Sequence, residues 1–391
     1  MSTNAREESL AYYQRVRNYT QALCEPLETE DFIPQPEPFV SPAKWHLGHT
    51  SWFFEQFILR RFSPAYKVYH EDFSFLFNSY YNQMGKRILR VNRGNMSRPA
   101  VAQVFDYRGY VDEAMTRLLE SDLATAEVLE LVTLGINHEQ QHQELLITDM
   151  KYILGHQPLF PVYRDGYRLV DGTAQHSDWL SFEEGIAEIG YSGKGFSYDN
   201  ESKRHKVYLS GYAIQNALVS NKEFMEFIED GGYQNPVLWL DEGWTWVNDQ
   251  KVQAPLYWHQ VDGVWKYYTL SGLETVQPNE PVCHVSHYEA WAYAEWRGLR
   301  LPTEFEWEQA AEKINWGDRW EWTDSAYLPY PGFRKPEGAV GEYNGKFMVN
   351  QKVLRGASRA TSPGHSRKTY RNFFQSKHQW QCTGIRLAKT L

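Results

Sequence analysis

The stretch "AEVLELVTLGINHEQQHQELLITDMKYIL", Ala126 to Leu154, decides how the first part of this chain folds. Its apolar residues recur at three- and four-residue spacing, the period of one helical face, so it reads as a single long amphipathic helix. Within it His138 and His142 stand four apart and share a side of that helix. Leu131, Leu134, Gln141 and Leu145 project to the same side, so the two histidines are expected to point with the apolar stripe into a core. His138, Glu139 and His142 also spell HExxH, in which two histidines hold zinc and the glutamate is a protease's base.

A zinc protease needs a third ligand, and the extended form HExxHxxGxxH is absent: Leu145 stands where glycine belongs and Thr148 where the third histidine belongs. After Asp149 the helix soon gives way to "GHQPLFPVY". The upstream segment "AKWHLGHTSWFFE" offers a better third ligand. His49 shares a helical face there with Trp45, Trp52 and Gln56; His46 lies three residues before it, and periodicity does not choose between the two. A single core histidine is usually a packing residue. Two on one inward face, joined by one from a second helix, give three neutral nitrogens and leave coordination positions open, as catalytic metal sites do. Imidazoles suit zinc, iron, nickel or copper, so the ligands do not name the metal.

Around this stretch, residues 1–155 carry further amphipathic patterns: "REESLAYYQRVRNYTQALCEPL", "SPAKWHLGHTSWFFEQFILRRF" and "RPAVAQVFDYRGYVDEAMTRLLES". Ser41-Pro42 reads as an N-cap followed by proline at the first helical position. Together these predict a four-helix bundle. Residues 156–184 read as a linker or an extended strand pair. From 185 to 391 the texture changes to short strands, glycine-rich turns and many tryptophans, with "KEFMEFIEDGG" and "SHYEAWAYAEWRG" as the clear helical exceptions. The expected class is α+β in two domains.

Composition narrows the partners. With 391 residues, 42% hydrophobic and 23% charged, the chain is ordinary globular material, and its formal net charge of −9 argues against nucleic acid or an anionic membrane. Three scattered cysteines make no disulfide framework. The start "MSTNAREESLAYYQRVRNYT" has no apolar signal region and no membrane-spanning run follows, so the expected location is the cytoplasm.

The motifs "SPAKWHLGHTSWFFE" and "NHEQQHQELLITDMKYIL" resemble the ergothioneine-biosynthesis sulfoxide synthases. The second half continues the resemblance through "YDNESKRHKVYLSGYAIQNALVSNKEFMEFIEDGGY", "PVCHVSHYEAWAYAEWRGLRLPTEFEWEQAA", "RWEWT", "VLRGAS" and "YRNFFQSKHQWQCTGIRLAK". The resemblance implies a DinB-like four-helix bundle followed by a formylglycine-generating-enzyme-like domain of C-type-lectin type. It also implies a non-haem Fe(II) enzyme that uses O2 to join a thiol to the imidazole of hercynine, N-alpha-trimethylhistidine, as a sulfoxide. Carried over by position, the iron ligands are His49, His138 and His142; His46 is a neighbour, Glu139 is structural, and the HExxH match is coincidental.

Further roles follow from the same resemblance. Tyr80 and Tyr81, in "FLFNSYYNQMGKR", match the tyrosine pair of the branch that takes free cysteine, and one of them is expected to be the catalytic acid. Gln141 is expected to hold the substrate imidazole. Asn372 and Phe373, in "YRNFF", are expected to bind hercynine, whose quaternary ammonium is best met by aromatic faces, with Phe374 nearer the thiol. Family members often have Trp at 373, and users of gamma-glutamylcysteine an acid at 374; Phe374 therefore points to L-cysteine, with gamma-glutamylcysteine or a selenium donor as alternatives. Arg87 and Arg90 could clamp the thiol substrate's carboxylate, or be an exposed basic face. No third domain follows Leu391, so a fused methyltransferase is not expected. Two other classes were weighed: a zinc hydrolase using HExxH, which predicts loss of activity on Glu139→Gln alone, and a non-catalytic binding module, because fold does not imply function.

Overall fold

Helix α1 (Thr3–Cys24) packs against α5 (Val101–Glu120) and α6 (Ala126–Gly155), and both of these also pack against α2 (Ala43–Phe54). The structure, a computed structural model, describes residues 3–79, 81, 85–169, 177–335 and 344–391. It divides into two units, Met1–Leu159 and Phe160–Leu391. The four long helices form the first unit, the DinB-like bundle.

Local chemistry sets the helix ends. Thr125 caps α6, its hydroxyl accepting from the Val128 amide. At α2 the expectation is corrected: the helix starts at Ala43 with Pro42 as its N-cap residue and no side-chain cap. Ser41 serves elsewhere, its amide donating to Asp149 and its hydroxyl accepting from Arg93. Every residue of α2 is buried, and the helix runs on through a π-helical turn, Glu55–Leu59, into α3 (Arg60–Phe62). That wider turn carries the Glu55 carboxylate inside, where it accepts from Tyr66 and Tyr107. The short α4 (Phe73–Leu76) then delivers Phe77 to α2. A Cβ on Gly48 would come within 2.1 Å of the Phe77 ring, so only glycine permits that approach.

The inward side of α6 is also not the projected one. Leu131, Leu134, Gln141 and Leu145 are half-buried, whereas Val132, Ile136, Glu139, Gln143 and Leu146 are fully enclosed. The difference has a physical cause. Helix α1 presents Arg17 and Thr20 to that side, and these partners let a carboxylate and an amide sit where periodicity alone expects leucines.

In the second unit, β8 (Trp320–Ala326) pairs antiparallel with β9 (Lys352–Gly356) and parallel with β11 (Thr383–Gly384), and β10 (Asn372–Phe374) continues the sheet beyond β9. A second sheet has the order β1 (Trp179–Phe182), β4 (Tyr212–Gln215), β12 (Ala388–Thr390). Strands β2 (Gly185–Ile189) and β3 (His205–Leu209) pair with each other, and β5 (Trp258–Val261), β6 (Val264–Thr269) and β7 (Gly272–Thr275) form a meander. Because β1 belongs to this unit, the segment expected as linker supplies a strand.

Capping boxes open α7 (Asn221–Glu229), α9 (His287–Trp296) and α10 (Glu304–Ala310), through Ser220 and Glu223, Ser286 and Glu289, Thr303 and Glu306. Two helices go beyond the two expected: α8 (Asp241–Gln250) and α10. Helix α10 lays Trp307 and Ala310 on Ile189, Leu209, Tyr212 and Ile214, the core under β2 to β4. The class is α+β, as expected.

Candidate metal centre

His49, His138 and His142 converge inside the helical unit, each offering one ring nitrogen, with these atoms within 4.8 Å of one another. Their rings lie 4.6 to 4.9 Å apart. His49 and His138 are fully buried and His142 is half-buried. Burial, ahead of any neighbouring charge, holds all three well below the ordinary histidine range, His138 down to about 3. At neutral pH they are uncharged imidazoles with lone pairs to give.

Hydrogen bonds set which nitrogen each can offer. His49 Nδ1 lies 2.7 Å from the Phe77 carbonyl, which can only accept, so Nδ1 carries the proton and Nε2 the lone pair. The buried Nε2 has no hydrogen-bond partner among the described residues. His142 is held by a relay. His46 Nε2 donates to the Asp149 carboxylate at 3.0 Å, which leaves His46 Nδ1 as an acceptor, 2.9 Å from His142 Nδ1. His142 Nδ1 must then donate, and its Nε2 is the free donor atom for a cation. Both nitrogens of His46 are engaged, whereas His49 Nε2 is left over to face the other two histidines. The residues present thus fit a metal: buried or half-buried, neutral and converging, with His49 and His142 fixed in tautomer. Neither Asp149 nor the role of His46 was read from the sequence; a histidine three before the ligand was the signal available.

Glu139 does not share this arrangement. Its carboxylate accepts from Arg17 Nη1 at 2.9 Å, Arg108 Nη2 at 2.5 Å and Thr20 Oγ1 at 2.6 Å. Burial alone would raise its pKa, but Arg108 and Arg17 outweigh burial and hold it at about 2. A carboxylate so pinned is a poor proton acceptor.

Of the tyrosine pair, Tyr80 lies outside the described residues. Tyr81 is fully buried and stacks on Trp52 at 5.5 Å, and Trp52 stacks on His49 at 5.6 Å, so one aromatic ring links this phenol to His49. Asn78 fixes the segment, accepting from the Tyr81 amide and donating to the Tyr81 and Lys86 carbonyls. Gln141 is half-buried on α6 between the two histidines. Arg87 and Arg90 are exposed and among the described residues do not meet on a common partner: Arg87 donates to the Ser79 carbonyl, Arg90 to that of Phe39. A cation whose charge bears on His49 and His142 is one the sequence reading missed. Arg93, three residues after Arg90, lies 3.3 Å over the Trp45 ring and donates to Ser41 and Ser79.

In the second unit, β10 places Asn372 and Phe374 on one face and Phe373 on the other. Phe373 stacks on Tyr327 at 4.1 Å, and Phe374 meets Trp380 edge-on at 5.3 Å. The Asn372 side-chain oxygen accepts from the Phe373 amide. All three are half-buried.

Two family models match this chain in sequence order: the DinB superfamily over residues 12–146, and the sulfatase-modifying factor enzyme 1-like domain over residues 170–315. The hercynine oxygenase of Mycolicibacterium thermoresistibile is 28% identical, covering 95% of this chain and 92% of its own. That of Mycobacterium tuberculosis is 26% identical, covering 98% of each. The formylglycine-generating enzyme of Thermomonospora curvata is 38% identical over 30% of this chain and 42% of its own. The resemblance drawn from the motifs is thereby borne out in both parts and in their order. Among the described residues no helix is long and apolar enough to cross a membrane.

Proposed function

We propose that this chain, similar over nearly its whole length to hercynine oxygenases, is an Fe(II)- and O2-dependent sulfoxide synthase that joins hercynine to L-cysteine. An oxidoreductase working on small molecules is what the relatives support; the metal, the thiol and the cytoplasmic location are our reading. The overall reaction balances as hercynine plus cysteine plus O2 giving the sulfoxide and one water: a C–H and an S–H bond are lost, C–S and S–O bonds form, and O2 takes up four electrons.

The observation that carries the reading is the convergence of His49, His138 and His142, the first and last fixed in tautomer, beside a HExxH glutamate that is tied up elsewhere. Iron bound by these three would supply the electrons that activate O2 and open positions for the substrate imidazole and thiolate. The chain's own contribution is positional. Phe77 and the relay from Asp149 through His46 hold two ligands in register, which keeps the reactants oriented. Trp45, Trp52, Phe53 and Phe57 wall the centre with aromatic surface and exclude bulk water. Tyr81 is assigned as proton donor, with Tyr80 as the other member of the pair. Gln141 is assigned to the substrate imidazole, Asn372 and Phe373 to hercynine, and Phe374 to the thiol's surroundings. Arg87 and Arg90 are assigned to the thiol substrate's carboxylate, each also donating one N–H to a backbone carbonyl.

The deciding experiment loads the protein anaerobically with Fe(II), offers hercynine with cysteine or with gamma-glutamylcysteine, admits O2 and reads products by mass spectrometry. Hercynylcysteine sulfoxide from free cysteine is the expected result. Product from gamma-glutamylcysteine alone keeps the reaction and overturns the choice of thiol. No product and no oxygen uptake with either overturns the function.

A further inference from the structure

The second unit holds another convergence of metal-binding side chains, apart from the histidine triad. Cys283, His284 and Cys382 bring their ligand atoms within 4.8 Å of one another, and all three residues are buried. The Cys283 thiol is hydrogen-bonded to both Cys382 and His284. His284 Nδ1 lies 3.2 Å from the Gln379 carbonyl, the kind of bond that steadies a ligating imidazole.

Backbone geometry makes the cluster possible. On an extended strand, neighbours such as Cys283 and His284 point to opposite faces. His284 instead adopts the left-handed region, φ 63°, which lets adjacent side chains turn to one point. Its amide bonds to the Thr383 carbonyl, fastening this turn beside Cys382.

An independent observation concerns charge. Arg319 is 0% exposed, yet among the described residues its guanidinium meets only backbone carbonyls, those of Leu169, Pro281 and Asp318, and its Nε has no partner. Its charge bears on Cys283. The carboxylate of Glu280, engaged by Tyr267 and Arg168, also bears on Arg319, and thiolates in the cluster would add to the negative field around this cation.

We propose that Cys283, Cys382 and His284 form a site for one Cu(I) ion. Thiolates select soft cations, which leaves Cu(I) and Zn(II) as the ready candidates. Zn(II) in a closed site takes four ligands, and among the described residues three converge here. Cu(I) needs no fourth ligand, and the net negative charge it would carry between two thiolates lies where the charge of Arg319 is felt. The two thiol protons leave on binding, and no electron is transferred.

Copper would be tested on full-length protein from copper-supplemented and copper-depleted cultures, and by titrating reduced protein anaerobically with Cu(I) against a chelating competitor. Because imidazoles also take copper, wild type is compared with His138→Ala and with the Cys283→Ser/Cys382→Ser double variant. One additional equivalent of Cu(I) is expected in wild type and His138→Ala relative to the cysteine variant. X-ray absorption on the wild-type protein, which removes any question of variant folding, should show sulfur neighbours at copper. Equal copper content in wild type and the folded cysteine variant, or copper with no sulfur neighbour, would overturn the site.

Discussion

Glu139 and Arg17, neither of them more than 2% exposed, face each other at 2.9 Å between α6 and α1, while His138, one residue before Glu139, faces His49 of α2. The HExxH pattern is thus divided between two jobs: its histidines serve the candidate centre and its glutamate binds the bundle together. Glu139→Gln is expected to destabilise the protein by about 3–5 kcal/mol, since it leaves the buried Arg108 without its charge partner and Arg17 with Asp112 alone. Chemical denaturation would measure this, alongside turnover of whatever variant remains folded. A hydrolase would give the opposite pattern, with stability kept and activity gone.

Acid should act through the same cluster. The Glu139 carboxyl falls from an ordinary 4.5 to about 2 in the fold. A depressed carboxylate pKa contributes stability that is fully present above the unfolded value and is lost as pH falls through the folded one, here between about 4.5 and 2. Circular dichroism against pH should show an unfolding transition in that window that is blunted in Glu139→Gln, whose starting stability is already lower. A full-sized transition in the variant would show that other groups govern it.

The relay behind His142 gives a different signature. His46→Phe removes the acceptor that fixes the His142 proton and leaves the three ligands in place. Outer partners of this kind are worth about 10–100-fold in metal affinity. Fe(II) competition assays should show that loss, against abolished binding in His138→Ala. Unchanged affinity in His46→Phe would mean the tautomer is set elsewhere.

Tyr81→Phe keeps the stacking on Trp52 and removes only the hydroxyl. If this phenol supplies the proton, the rate of sulfoxide formation should fall by about 10²-fold or more, or the product should change, with iron content unaltered. A variant as fast as wild type would transfer the role to Tyr80.

What could be read in advance depended on the range of the interaction. Helices α1, α2, α5 and α6 were legible because their periodicity runs over many turns, and the i, i+4 histidine pair came with them. The choice between His46 and His49 was not, because residues three apart share a helical face; it turns on Phe77 and Asp149, far away in sequence. Glu139's place was hidden for the same reason, since Arg17 lies 122 residues before it. In the second unit, α10 carried a readable capping box at Thr303 and Glu306, but seven residues show too little period to stand out among aromatic strands. Metal identity lies beyond what imidazoles encode.

Phe77 meets α2 in two ways: its ring rests where Gly48 lacks a side chain, and its carbonyl orients His49. Asn78 follows it directly in the chain and bonds to Tyr81 three residues further on. The segment that carries the assigned acid is therefore the one that orients His49, and under the proposed function the two equilibria are linked. Whatever seats this segment would tighten the hold on the metal, and the metal would stabilise the seated segment by the same factor.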